Sequence, residues 1–358
     1  MADCLLVASR KGLLRFLRRG DDWLAQPPAF LGEPVTAVLA DPRDGGLIAA
    51  LRLGHFGVKL HRSDDGGETW RALAAPAFPP QPDPAAPAVD MVWTLAAGGP
   101  AEPGRLWAGT LPAALFTSAD GGESWSLVEA LWNVPERPRW MGGGYDLPGL
   151  HSILVDPRDP RRLTVGISSG GIWKSDDAGA GWRQAGHGLR AEYMPPDLAF
   201  DPVNQDPHRL AACRAAPEVV WCQHHNGIFR STDGGETFAE IRDARPSAFG
   251  FAVAAHPAEP GTAWFVPAVK DEYRVPVDLR LVVSRTNDGG ASFAVLDDGL
   301  PSGSYDLVYR HALAVDGSGT QLAMGSTTGN LWFSPDGGGH WHSLATTLPP
   351  IAQVAFVE

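Results

Sequence analysis

One local pattern constrains the fold of this chain more than any other feature. A Ser or Thr closes an apolar stretch, an Asp follows two residues later, then a glycine pair or its remnant, then an aromatic residue. It reads HRSDDGGETW at 61–70, LFTSADGGESW at 115–125, WKSDDAGAGW ending at Trp182, FRSTDGGETF ending at Phe238, SRTNDGGASF ending at Phe293 and FSPDGGGHW ending at Trp341. The six aspartates, Asp65, Asp120, Asp177, Asp233, Asp288 and Asp336, are spaced by 48 to 57 residues. This is turn chemistry: a carboxylate accepts from nearby backbone N–H groups, glycine takes positive φ, and the aromatic packs between neighbouring sheets. Local bonding of side chain to backbone accounts for the placement of these aspartates, so no catalytic role is assigned to them.

Between the boxes the apolar runs are equally regular. HSILVDP (151–157), RRLTVGI (161–167) and GIWKS (171–175) read as three successive strands, and the strand after the box is a fourth. Four-stranded units repeated at this period are the mark of propeller blades. Second-strand segments number seven: LLVAS (5–9), LIAAL (47–51), RLWAG (105–109), RLTVG (162–166), VVWCQ (219–223), TAWFV (262–266) and QLAMG (321–325). The first unit lacks an inner strand and the chain ends on an orphan one, IAQVAFVE at 351–358. The predicted fold is therefore all-β: a seven-bladed propeller of antiparallel four-stranded blades, one domain over 1–358, closed by the C-terminal strand so that no sheet edge is left open. In the first unit the box has decayed to RRGDDW at 18–23.

These copies resemble Asp-box repeats, also called BNR repeats, found in sialidases, sortilin-type receptors and photosystem assembly propellers. The resemblance covers nearly the whole chain and extends to bacterial proteins of similar length described as sialidase-like or glycosyl hydrolases. It implies a hydrolase or lyase acting on a sugar derivative or another polar small molecule. The sialidase catalytic set is not reproduced: the nearest echo of its Arg-Ile-Pro motif is Arg274-Val275-Pro276, far from the first blade. No sialidase catalytic residue is carried over.

Composition narrows the partners. A net charge of −12 argues against attraction to phosphate backbones, so no nucleic-acid partner is expected. The N-terminal MADCLLVASRKG has an acidic residue where a signal peptide needs positive charge, and no apolar run reaches spanning length; the expectation is a cytoplasmic protein with no membrane partner. Cys4, Cys213 and Cys222 are an odd number at no metal-finger spacing, which suits unpaired, inert thiols in a reducing compartment.

Function should lie on the face opposite the boxes, where inner strands begin and second strands turn into third. Alignment of the blades puts His151, His208 and His311 at one equivalent position, 23 or 24 residues before the Ser of each box. Inner strands surround the channel, so these imidazoles, with His225 as a further candidate, can converge on its axis and bind a divalent metal, Zn being the expected ion for three His with an open position. A metal-free alternative is acid–base work by Tyr145, Asp146, Tyr305, Asp306 and His225. Tyr145-Asp146 and Tyr305-Asp306 both belong to a shared Tyr-Asp-Leu, three residues, His pattern. His55, Glu192, Lys270, Arg274 and Arg310 are expected to line the same rim as substrate contacts, with Arg274, Arg280 and Arg310 able to clamp a carboxylate. The competing reading is a non-catalytic scaffold that recognises a protein or peptide through the blade-six insertion at 268–280.

Overall fold

The computed structural model describes residues 2–80 and 86–358. Seven four-stranded antiparallel sheets are present. Blade one is Ile351–Val357, Cys4–Ser9, Gly12–Arg19 and Asp22–Ala25, in that spatial order, so the last strand of the chain is the inner strand of the first blade. The other inner strands are Val35–Ala40, Met91–Ala97, Leu150–Val155, Pro207–Ala212, Gly250–Ala255 and Leu313–Val315. Each neighbours the inner strand of the next blade all the way round, and Leu313–Val315 neighbours Ile351–Val357 to complete the ring. Closure pairs Cys4 with Val357 and Leu5 with Phe356, antiparallel.

Second strands are buried along their whole length: Leu106–Leu111, Leu163–Ile167, Val220–His224, Ala263–Pro267 and Leu322–Gly325 contain no exposed residue. A blade is covered by a neighbour on both faces, which is why these segments read as unbroken apolar runs instead of alternating ones. The blades are wedged by large aromatics, among which Trp173, Trp221, Trp264 and Trp341 are fully buried. Fourth strands at the rim, such as Arg71–Leu73 and Ala239–Ile241, show mostly exposed or half-buried positions.

The box chemistry is the same in all six copies. The terminal Ser or Thr hydroxyl donates to the Asp Oδ1 at 2.7 to 2.9 Å. It also accepts the N–H of the second box glycine at 2.7 to 2.9 Å. The Asp Oδ1 in turn accepts the N–H four residues on at 2.8 to 3.0 Å. The second glycine has φ between +88° and +96° and faces the preceding blade; at Gly122 a Cβ would come 2.9 Å from Leu73 Cδ1. In blade one, where the box has decayed, Arg19 pairs directly with Asp22 and Gly20 takes φ +65° in a tight hairpin. None of the three cysteines forms a disulfide, and Cys213 and Cys222 are buried. No helix among the described residues is long and apolar enough to cross a membrane.

Two outcomes test the role of the boxes. Ser118→Ala removes the buried acceptor of the Gly122 N–H and should lower unfolding stability by about 1–3 kcal/mol in a urea titration. Hydrogen bonds, first from Ser124 at Asp120 and from Ser292 at Asp288, hold both carboxyls down at about 2. Because the folded values lie below those of an unfolded chain, this stabilisation is complete above about pH 4 and disappears as pH falls toward 2. A thermal midpoint flat from pH 5 to 7 and dropping steeply between pH 4 and 2 is expected.

Candidate functional site at the channel mouth

A cavity of about 1440 Å³ opens on one end of the ring. Its wall is made by turns between second and third strands (Arg10, Arg52–Gly54, Ser169, His225, Asp271, Arg274, Thr327) and by the starts of inner strands (Val35, Met91, Asp206, His208, Phe251, Arg310, Ile351), so every blade contributes. No box aspartate lines it. The face opposite the boxes is therefore the one with a binding-sized hollow, larger than the usual small-molecule site of about 300–1,000 Å³.

Of the residues singled out from sequence, Tyr145, His208, His225, Arg274, Arg310 and His311 line the cavity. His55, Asp146, Glu192, Lys270 and Tyr305 are not among its lining residues. Glu192 instead pairs with Arg190, and its backbone N–H donates to Asn226 Oδ1 at 2.8 Å. Lys270 pairs with Glu272 at 3.4 Å and lies 4.9 Å from the Tyr273 ring centre. Arg280 is bonded to Asp297.

The expectation of three converging imidazoles needs correction. His311 Nε2 donates to the backbone carbonyl of His151 at 2.8 Å, while His151 Nδ1 bonds Ser152 Oγ at 3.0 Å. Burial, with the charge of Arg310 beside one and Arg209 beside the other, pushes both imidazoles well below their ordinary pKa. These two rings brace the channel wall as neutral groups, because equivalent positions in a ring face neighbours as readily as the axis. Asp306 also departs from its expected acid–base role. It is buried and accepts from Ser304 Oγ and Ser326 Oγ at 2.6 Å, from Asn330 Nδ2 at 2.8 Å and from Thr328 Oγ1, so its carboxylate is saturated.

A different set does gather. Among the described residues, Asp206, His208 and His225 bring one ligand atom each to within 4.8 Å of one another. Asp206 Oδ2 lies 3.6 Å from His208 Nε2 and 3.5 Å from His225 Nδ1. All three come from one hairpin. Pro207 pairs with His224, so the residues just beyond that pair, Asp206 and His225, face each other at the channel end of the strands. The His225 N–H donates to the Asp206 carbonyl at 3.0 Å and fixes the turn. His208 is oriented by its Nδ1, which donates to Gly250 O at 2.7 Å, and by Phe251 stacked 4.4 Å away. That bond leaves Nε2 unprotonated and aimed at the cluster, the arrangement metal-ligating histidines require. Tyr193 meets the His225 ring edge-on at 5.2 Å, while its hydroxyl donates to Asn204 O at 2.6 Å.

Burial alone would raise the Asp206 pKa, but the neighbouring His208 and His225 and the charge of Arg310 outweigh it and hold the carboxyl well below its usual range. Burial lowers His208 despite Asp206, whereas at half-exposed His225 the Asp206 interaction wins and raises it. The separations are also informative. At 3.5 and 3.6 Å they are long for hydrogen bonds, yet they match the ligand–ligand edge of a tetrahedron with arms of 2.0–2.2 Å, about 3.3–3.6 Å. Alignment of equivalent positions in different blades does not single out Asp206. Its signal was Asp-Pro-His followed by His-His across one hairpin.

No family model matches the chain. A xyloglucanase from Paenibacillus is 26% identical over 147 residues, which is 36% of this chain and 13% of that protein, so this chain spans only a small part of its curated relative's length. The crystal structure of the GH74 xyloglucanase from Xanthomonas campestris matches with a TM-score of 0.66 at 18% identity, over 100% of this chain and 53% of that one. YCF48 bound to D1 peptide matches with a TM-score of 0.52 at 15% identity, over 86% of this chain and 81% of that one. Likeness at this level is of fold: the chain is an Asp-box-type β-propeller, similar in architecture to a glycosyl hydrolase and to a peptide-bound protein.

Asp306→Ala should behave as a folding lesion. Four donors lose their acceptor, and a loss of about 2–3 kcal/mol in urea unfolding is expected, with ligand binding by the remaining folded protein unchanged.

Proposed function

We propose that the protein is a metal-dependent hydrolase or lyase acting on a polar small molecule of the carbohydrate class in the channel-mouth cavity. The observation that carries this reading is the Asp206–His208–His225 cluster, two imidazoles and one ionised carboxylate whose two Asp–His edges are of tetrahedral size, on the wall of a large cavity. One carboxylate and two histidines with an open fourth position suit Zn²⁺, whereas octahedral ions would draw the ligands to edges of about 3.0 Å. A bound Zn²⁺ would supply Lewis acidity and an activated water at that open position. The chain's own part is to hold the three ligands, with Gly250 fixing the His208 tautomer and Tyr193 seating His225.

The remaining wall supports the carbohydrate class. Of the aromatic residues in the lining, Tyr145 is exposed and offers a ring face beside polar groups, which suits rings with one hydroxylated edge and one C–H face. The similarity to a GH74 xyloglucanase agrees with a sugar-sized ligand. A protein-binding platform is the second reading, favoured by exposed Tyr273 and Tyr305, which stand outside the cavity lining, and by the architecture shared with YCF48 bound to D1 peptide. A stoichiometric partner lost on shortening 268–280 would establish it.

The metal reading is tested by elemental analysis of untagged protein. About one Zn per chain is expected, lost in His225→Ala and Asp206→Ala and retained in His151→Ala. Wild-type protein that stays metal-free after incubation with Zn²⁺ overturns the reading.

A further inference from the structure

Three arginines are more than nine-tenths buried: Arg15, Arg62 and Arg310. Arg15 bonds the Gly66 carbonyl and Glu68, and Arg62 bonds Asp44 and Asp64. Arg310 bonds nothing among the described residues. Its Nε is sealed from solvent without an acceptor, and no carboxylate forms an ion pair with it. The carboxylate whose charge it feels most, Asp206, is paired with His208 and His225 instead. Arg274, which also lines the cavity, is already committed to Asp271 at 2.6 Å. Charged side chains are almost never buried without a partner, because desolvation is then uncompensated.

The guanidinium is also held in place. Its carbon lies 5.0 Å from the Trp93 ring centre and 5.6 Å from that of Phe251, so two aromatic faces frame it at the cavity wall. Stacked this way, a guanidinium keeps its N–H edge free for a planar acceptor, and a carboxylate can take two parallel hydrogen bonds there. We propose that Arg310 is the anchor for a carboxylate on the ligand of this cavity, and that the ligand is an acidic sugar such as a hexuronate. This rests on the reading that the cavity takes a carbohydrate, and it does not require the metal. With a cation on the neighbouring cluster, the Asp206 charge is neutralised and the anion binds beside it without repulsion.

The test is calorimetric titration of the full chain with galacturonate and glucuronate, with galactose and glucose as neutral counterparts and inorganic phosphate as a second anion. Uronates should bind at least about 10-fold more tightly than the neutral sugars. Arg310→Met, which keeps the side-chain bulk between Trp93 and Phe251, should weaken uronate binding roughly 30-fold or more, and Arg310→Lys should restore only part of it. Ligand-free Arg310→Met should melt at or above the wild-type temperature, since it removes an unpaired buried charge. Equal binding of acidic and neutral sugars, no uronate binding, tighter binding of phosphate, or a lowered melting point in Arg310→Met would each overturn the proposal. Metal-free protein that still needs Arg310 for uronate separates failure of the metal reading from failure of this one. Neutral sugars bound with uronates refused would spare the carbohydrate reading and sink this inference alone.

Discussion

The pairing of Ile351–Val357 with Cys4–Ser9 is the contact on which the rest of the molecule depends. Without it, blade one has no inner strand and the ring no seventh wall. The cavity draws residues from every blade, with Ile351 and Ala352 on one side and Arg310 and Asp206 on others, so its shape is a property of closure and not of any local segment. Closure also joins sequence ends far apart: the N–H of Ala2 donates to Gln321 Oε1 at 3.0 Å, and Gln353 bonds Val38 through both its amide groups at 2.8 and 2.9 Å. Pairing of such distant strands carries a large loop-closure entropy, offset only when all the blade interfaces bury their apolar faces together.

A division of labour between the two faces follows from the box. Each box satisfies its own turn from within ten residues and uses its carboxylate fully, which leaves that face chemically quiet. On the opposite face the hairpins carry no such grammar. Their lengths and residues vary from blade to blade, and the titratable groups that do not serve folding collect there. Asp306 is the instructive exception. It lies at that end of the ring, yet four side-chain donors consume its charge, so position alone does not make a carboxylate reactive.

The architecture was legible in the sequence because its determinants are local and repeated: Ser, Asp, Gly and aromatic at fixed offsets, and apolar runs at fixed period. Blade number, strand order and closure all follow from that arithmetic. The cavity face was legible for the same reason, since the boxes mark the other one. The site residues were only half legible. His208, His225 and Arg310 stood out as unusual chemistry, but whether a ring nitrogen points to the channel or to a neighbour's carbonyl depends on side-chain direction across a blade interface, as at His151 and His311. Asp206 was hidden for a different reason: its partner His225 lies 19 positions away and becomes adjacent only through the register that sets Pro207 against His224.

The charges of the cavity are unmet in a way that folding alone does not explain. A buried guanidinium and a buried carboxylate both line the cavity, yet among the described residues Arg310 and Asp206 form no ion pair with each other. Trp93 and Phe251 hold the cation in its slot, while the hairpin register and the Gly250 carbonyl hold the anion and its histidines in theirs. Two opposite charges kept apart in a low-dielectric setting leave attraction unused. A chain selected for stability alone would let them meet, or replace both with apolar groups. Their separation fits a site that keeps one valence for a cation and the other for an anion.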